Sequence, residues 1–234
     1  MVDAHRLRNF LTLQIEKVKI FHIFFLVIIF SSCQNEPKKA VDTIVSERKN
    51  TIEIPKPNLD LIKTKKKAQE ALEFCKTKKM NTDFCILIDM SLHSGVNRFV
   101  VWDFKENKIL NQYLVGHGCG TNSWSSDESK ENPTFSNEDG SHLSALGKYK
   151  LGERGRSDWG INVKYLMHGL EKTNNNALKR FIVFHSWNLM SDEEIYPKGS
   201  PEGWGCPTIS NNAMREIDVI LQKSGKPVLM WIYE

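Results

Sequence analysis

The sequence predicts a mainly β fold with flanking helices, arranged as a β sandwich or barrel. Three observations carry this. Apolar runs of strand length recur along the chain, as in Phe84–Met90 (FCILIDM) and Val228–Tyr233. Two of the strand-like runs, Arg98–Phe104 and Ile109–Val115, are joined by the short polar connection Lys105-Glu106-Asn107-Lys108, as in a hairpin. Helical periodicity is confined to a few segments and does not alternate with strands, which argues against repeated β-α units.

The elements follow in order. Residues 59–79 place Ala68, Ala71, Leu72 and Cys75 at helical spacing with lysines facing away. Strands are expected at 84–90, 98–104 and 109–115. Residues 117–143 then form a 27-residue stretch rich in Ser, Asn, Asp, Glu and Gly, without a period. A loop of that length in a small domain is usually functional. A strand is expected around Leu146–Leu151, a short helix over Asn174–Arg180, and an apolar run at Phe181–Phe184 ending on His185. A second loop, 186–205, leads to Cys206. Over Asn211–Gln222, Met214, Ile217, Ile220 and Leu221 share one helical face. Ser210 is placed to cap that helix, and Gly225 with Pro227 to end it.

The N-terminal quarter reads differently. Basic residues ending in Lys17 and Lys19 precede the apolar run Ile20–Phe30, then Ser31, Ser32 and Cys33. The run is shorter than the roughly 20 residues that span a bilayer and suits the apolar region of an export signal. The order Phe30-Ser31-Ser32-Cys33 resembles a bacterial lipobox, which implies a lipoprotein signal peptide over 1–32, lipidation at Cys33 and a membrane anchor. Residues 33–58 are polar, contain three prolines and read as a flexible tether. The globular domain is then 59–234, and the expected location is the cell envelope, periplasmic and lipid-anchored. The net charge of +4 falls to +2 once residues 1–32 are set aside, which is no electrostatic footprint for nucleic acid.

Chemistry concentrates in Gly199–Ser210 (GSPEGWGCPTIS). Cys206 lies between Gly205 and Pro207, in backbone that glycine lets approach a ligand closely. Amide N–H groups beside such a cysteine can bind an oxyanion. A thiol needs a base near neutral pH, and His185, at the end of an apolar strand, is the best placed histidine. His168 is a weaker candidate for the base, His117 and His142 flank the long loop and can line a cleft, and His93 reads as an exposed turn residue. Cys75 and Cys85 can pair in an oxidising envelope or remain two buried free thiols; the role of Cys119 stays open. His117, Cys119, His142 and Cys206 are residue types that zinc accepts, but their spacings follow no ligand motif, and no metal or other cofactor is implied. Trp124, Trp159, Trp187 and Trp204 can serve either as core residues or as a surface for glycan.

The segment from His117 to Ser210 resembles the murein L,D-transpeptidase catalytic-domain family (YkuD-type), in its less-studied branch. The matching pieces are Gly116-His117-Gly118, Thr134-Phe135-Ser136-Asn137, the run Gly140–Tyr149, Gly169-Leu170-Glu171, Asn176-Ala177, Ile182-Val183-Phe184-His185 and Gly203-Trp204-Gly205-Cys206-Pro207, in one order. The resemblance implies an L,D-transpeptidase-type β sandwich or barrel acting on peptidoglycan stem peptides. Carried onto this chain, Cys206 is the nucleophile and His185 the base. Ser186 orients the imidazole through its carbonyl, and Gly205 with Cys206 supplies oxyanion N–H groups. His117, His142, Ser144 and Trp204 are the implied substrate-binding positions. The wider family often has Ser-His-Gly-Cys followed two residues later by Arg; here the residues are Gly203, Trp204, Gly205, Cys206, Pro207 and Thr208. That departure keeps two alternatives beside the transpeptidase: an L,D-carboxypeptidase or endopeptidase-type hydrolase on the same substrate, and a non-catalytic peptidoglycan-binding lipoprotein.

Overall fold

The computed structural model describes residues 55–234. The expected signal peptide over 1–32, the expected lipidation site Cys33 and nearly all of the expected tether lie outside the described residues. Among the described residues no helix is long and apolar enough to cross a membrane. In chain order the elements are α1 (Leu61–Lys78), β1 (Phe84–Asp89), β2 (Phe99–Asp103), β3 (Lys108–Tyr113), β4 (Gly147–Arg156), β5 (Val163–Gly169), β6 (Val183–Ser186), β7 (Thr208–Ile209), α2 (Asn211–Lys223) and β8 (Leu229–Tyr233).

All eight strands form one sheet in the order β3-β2-β1-β8-β4-β5-β6-β7. Neighbours are antiparallel except β1 with β8 and β6 with β7. Gly116, just past the edge strand β3, bridges Thr208 on the other edge strand, and its N–H donates to the Thr208 carbonyl at 2.8 Å. The sheet therefore nearly closes on itself, as a barrel-like fold that leaves little unpaired edge.

Side-chain alternation sorts the strands into two apolar layers. Ile86, Ile88, Met230 and Ile232 face an interior cluster with Phe99, Phe184, Met214 and Ile217, and so bury the apolar face of α2. Cys85, Leu87, Trp231 and Tyr233 face the opposite way and bury Ala68, Ala71 and Cys75 of α1. That is why β1 and β8 are buried on both faces and read as continuous apolar runs. Cys75 and Cys85 lie in this second layer as free thiols rather than a disulfide. Burial raises both thiol pKa values, which keeps them protonated and unreactive.

Both helices end as their residues dictate. Asp60 caps α1 by accepting from the Ile62 and Lys63 N–H groups, and Lys79 closes it in the left-handed conformation. The Ser210 side chain accepts from the Ala213 N–H at the start of α2. Asp218, buried on α2, accepts a two-pronged bond from Arg154 at 2.7 and 2.9 Å and a 2.6 Å bond from the Tyr165 hydroxyl. It thereby ties the helix to β4 and β5.

Several expectations are corrected. Asn174–Arg180 is a chain of turns, not a helix. Asn174 accepts from the Glu171 N–H and donates to the Lys148 carbonyl, and Asn176 bonds Asn137. These side-chain bonds compete with the helical ladder. Phe181 is exposed at φ 56°, so the strand before His185 begins only at Val183. The strand at 146–151 extends to Arg156 through a bulge and forms a long hairpin with β5, which was not anticipated. His93 is buried, not exposed: its ring meets Tyr196 edge-on at 4.9 Å and its Nδ1 accepts from the Gly95 N–H.

Asp218→Ala removes four hydrogen bonds, two from Arg154 and one each from Tyr165 and Gln222, and should lower unfolding stability by about 1–3 kcal/mol. The Arg154 and Tyr165 bonds hold its carboxyl below the ordinary 3.8. Its contribution is therefore complete at neutral pH and is lost as pH falls through the lowered value. Urea titration at pH 7 should show a lower midpoint with unchanged slope, and the difference between parent and variant should shrink in strong acid.

Candidate active site

The sheet brings two distant segments together. Phe184 points into the core, so His185, the next residue on β6, faces the other side. After the 186–205 loop the chain returns as β7 beside β6, with Thr208 in register with His185. Cys206, two residues earlier, then lies level with Val183, whose N–H donates to Cys206 Sγ at 3.4 Å. Cys206 and His185 both line one cavity of about 450 Å³.

His185 is buried, and its Nδ1 lies 3.0 Å from the Ser186 carbonyl oxygen. A carbonyl only accepts, so Nδ1 carries the proton and Nε2 is left with its lone pair. Burial pulls the imidazole pKa below its ordinary 6.5, against the bond to Ser186, and the Lys164 charge lowers it further. Lys164 is the register partner of His185 across the β5–β6 pair and lines the cavity. The imidazole is therefore neutral at pH 7.

The Cys206 thiol is pushed above its ordinary value of 9.0 by burial, opposed first by the Val183 N–H and then by the charges of Arg180 and Lys164. Its S–H faces the Phe181 carbonyl at 3.8 Å. Among the described residues it has no hydrogen bond to the imidazole, so the resting pair is a neutral thiol and a neutral base sharing one cavity. Arg180 donates to the carbonyls of Ser136 (2.8 Å) and Leu143 (2.6 Å) and to the Ser141 hydroxyl (3.1 Å). All three acceptors are neutral, so its charge is held in place without being cancelled. Neither cation was identified from the sequence.

Gly205 has φ +96°, and a Cβ there would fall 2.5 Å from the Leu143 carbonyl oxygen. A side chain would displace the turn that carries Cys206. Ser144 pins the same turn, donating from Oγ to the Gly205 carbonyl and accepting the Gly118 N–H, each at 3.1 Å. The N–H groups of Gly205 and Cys206 have no acceptor among the described residues.

Of the four substrate-binding positions expected from sequence, two line the cavity. His142 and Trp204 stack there with ring centroids 5.4 Å apart. Ser144 and His117 are buried scaffold residues instead. His117 accepts from Arg98 Nη2 at Nδ1 (2.8 Å) and faces the Ser129 hydroxyl through Nε2 (2.9 Å). Burial and the Arg98 charge lower its pKa to about 3, so it stays neutral. Beside it the buried Glu202 carboxylate accepts from the Ser129 N–H and hydroxyl at 2.6 and 2.9 Å, and from Asn122. His168 sits on β5 near Glu153, outside the cavity of Cys206, which removes it as a base. Cys119 is buried outside the cavity, and its backbone N–H donates to the Gly203 carbonyl. Among the described residues no three His, Cys, Asp or Glu side chains gather to hold a metal.

The profile of the L,D-transpeptidase catalytic domain family matches residues 56–232. The chain belongs to this family. The matched range includes Lys56, which pairs with Glu194. Two solved structures of the helical cell shape determining protein Pgp2 from Campylobacter jejuni, one of a point mutant, are similar at 13% identity, with TM-scores of 0.41 and 0.40. Each match covers 64% of this chain and 47% of Pgp2, so this chain spans under half the length of those proteins. Among curated proteins none matches the sequence.

The two cations give a direct test. The pH profile of Cys206 alkylation by iodoacetamide should have its midpoint above 9.0 in the parent. Lys164→Met and Arg180→Met should each move that midpoint higher, since each removes a charge that favours the thiolate. Coincident profiles would remove both as thiolate-stabilising groups.

Proposed function

We propose that this L,D-transpeptidase-family domain modifies peptidoglycan by acyl transfer through a thioester on Cys206. The observation that carries the proposal is the bond from His185 Nδ1–H to the Ser186 carbonyl. It leaves a basic Nε2 in the cavity that also holds, among the described residues, the only thiol lining it. His185 takes the thiol proton as Sγ attacks the carbonyl that links the L-centre of a stem peptide to its terminal D-alanine. The N–H groups of Gly205 and Cys206 receive the developing oxyanion. The C–N bond then breaks, D-alanine leaves with the proton from His185, and the acyl group stays on sulfur. An amine of a second stem attacks the thioester, giving its proton to His185 and releasing Cys206 as the leaving sulfur, which is reprotonated. Water in place of the amine gives hydrolysis. The substrate lies outside the cytoplasmic membrane, where the export signal read in residues 1–32 would deliver the chain.

The fixed imidazole tautomer makes Ser186 a positioning residue through its backbone and His185 the catalytic base. Turnover of a disaccharide tetrapeptide, followed by mass spectrometry, should yield D-alanine with crosslinked dimers for transfer, or with tripeptide for hydrolysis. Cys206→Ala should abolish both products, and His185→Ala should slow them by roughly 100- to 10,000-fold. The acid limb of kcat/KM should fall below pH 6.5, because the base is protonated only as pH drops through its lowered pKa. A folded parent that releases no D-alanine would contradict the proposal and favour a binding role.

A further inference from the structure

The cavity carries a second aromatic group whose use the peptide chemistry does not explain. Trp124, Trp159 and Trp187 pack together, with ring centroids 4.9 Å apart for Trp124–Trp187, 6.1 Å for Trp124–Trp159 and 6.3 Å for Trp159–Trp187. Trp187 is only 5% exposed and backs the cluster, whereas Trp124 and Trp159 remain 44% and 47% exposed. All three line the cavity of Cys206 and His185.

Their placement is tied to the catalytic residues on both sides. Trp187 is two residues from His185. The turn carrying Trp159 is pressed onto Ser186: a Cβ on Gly160 would lie 2.0 Å from Ser186 Oγ, and the Ile161 N–H donates to that oxygen at 3.0 Å. Trp124 is held from the nucleophile's side, because the Ser125 N–H donates to the Glu202 carbonyl and the Glu202 N–H to the Ser126 carbonyl. Asp158, which precedes Trp159 in the chain, is exposed and lines the same cavity, and its carboxylate has no hydrogen bond or ion pair among the described residues.

We propose that Trp124 and Trp159 form a stacking subsite for a sugar ring of the glycan to which the stem peptide is attached, with Asp158 accepting from its hydroxyls. The inference rests on the peptidoglycan reading of the cavity. A pyranose offers a face of C–H bonds to an indole and a rim of hydroxyl donors, which matches two exposed, rigidly backed rings beside an unpaired carboxylate. The enzyme then recognises glycan-linked peptide in preference to free peptide.

The test compares kcat/KM for a disaccharide tetrapeptide and for the same tetrapeptide without sugars, using the full-length protein. The parent should favour the disaccharide form by about tenfold, the factor that corresponds to about 1.4 kcal/mol. Trp124→Ala and Trp159→Ala should each bring that ratio down severalfold, and Trp159→Phe should restore part of it. Loss of packing alone would lower both rates and leave the ratio unchanged, and an unchanged ratio overturns the subsite. Indole N–H resonances are read in parallel while the peptidoglycan disaccharide is added without peptide. Shifts of the Trp124 and Trp159 signals in a protein that turns nothing over would uphold the subsite and sink the reaction; turnover without such shifts, and with no preference for sugar, would do the reverse.

Discussion

A guanidinium with no access to solvent stands at the entrance to β2, and the presentation of Cys206 depends on it. Arg98 is fully buried and donates to the Leu92 and Val115 carbonyls and to His117. Burial lowers its pKa to about 9, and the carboxylates of Asp89 and Glu202 work against that loss. Glu202 in turn collects the N–H and hydroxyl groups of the 122–129 segment. Its neighbour Gly203 exchanges backbone bonds with His117 and Cys119. The long irregular loop is thereby zipped to the segment just before Cys206. Removing one partner of such a buried charged group costs about 3–5 kcal/mol. The loop is mostly polar and packs through few apolar side chains, such as Trp124 and Phe135, so this network supplies much of the order that packing supplies elsewhere.

The electrostatics of the cavity follow a consistent direction. Burial disfavours charge on both Cys206 and His185, and Lys164 opposes a proton on the imidazole while favouring a thiolate. The resting state is therefore the neutral pair, and in the proposed reaction charge separates only as the thiol attacks. An imidazole that is neutral and correctly tautomerised needs no rearrangement at that moment, because the Ser186 carbonyl has already set its proton. Arg180, bonded only to neutral acceptors, leaves a fixed positive field over the sulfur.

Much of this was legible in the chain. The runs that became β1 and β8, the α2 face and its Ser210 cap follow from local periodicity and hydrogen-bonding chemistry. Cys206 stood out by its flanking glycine and His185 by its place at the end of an apolar run. What failed to show was non-local. β5 alternates Val163, Tyr165 and Met167 inward, a signal that was present but blurred by the apolar Leu166 on the outward face. Lys164 and Arg180 matter only because β5 pairs with β6 and because Asn-rich turns replace a helix. His117 and Ser144 matched family positions, yet both are buried scaffold residues. One orders the loop and the other holds the Gly205 turn. The Val183 N–H that meets the sulfur is backbone and leaves no mark in sequence.

The most direct test of the central claim is to trap the acyl-enzyme. The protein is mixed with disaccharide tetrapeptide, quenched in acid within the first turnover, and weighed intact before peptide mapping. A thioester account predicts a mass increase equal to the acyl part of the substrate without its terminal D-alanine, located on Cys206 and removed by neutral hydroxylamine. D-alanine release in the same mixture with no covalent species at any quench time, or with an adduct on another residue, would contradict it.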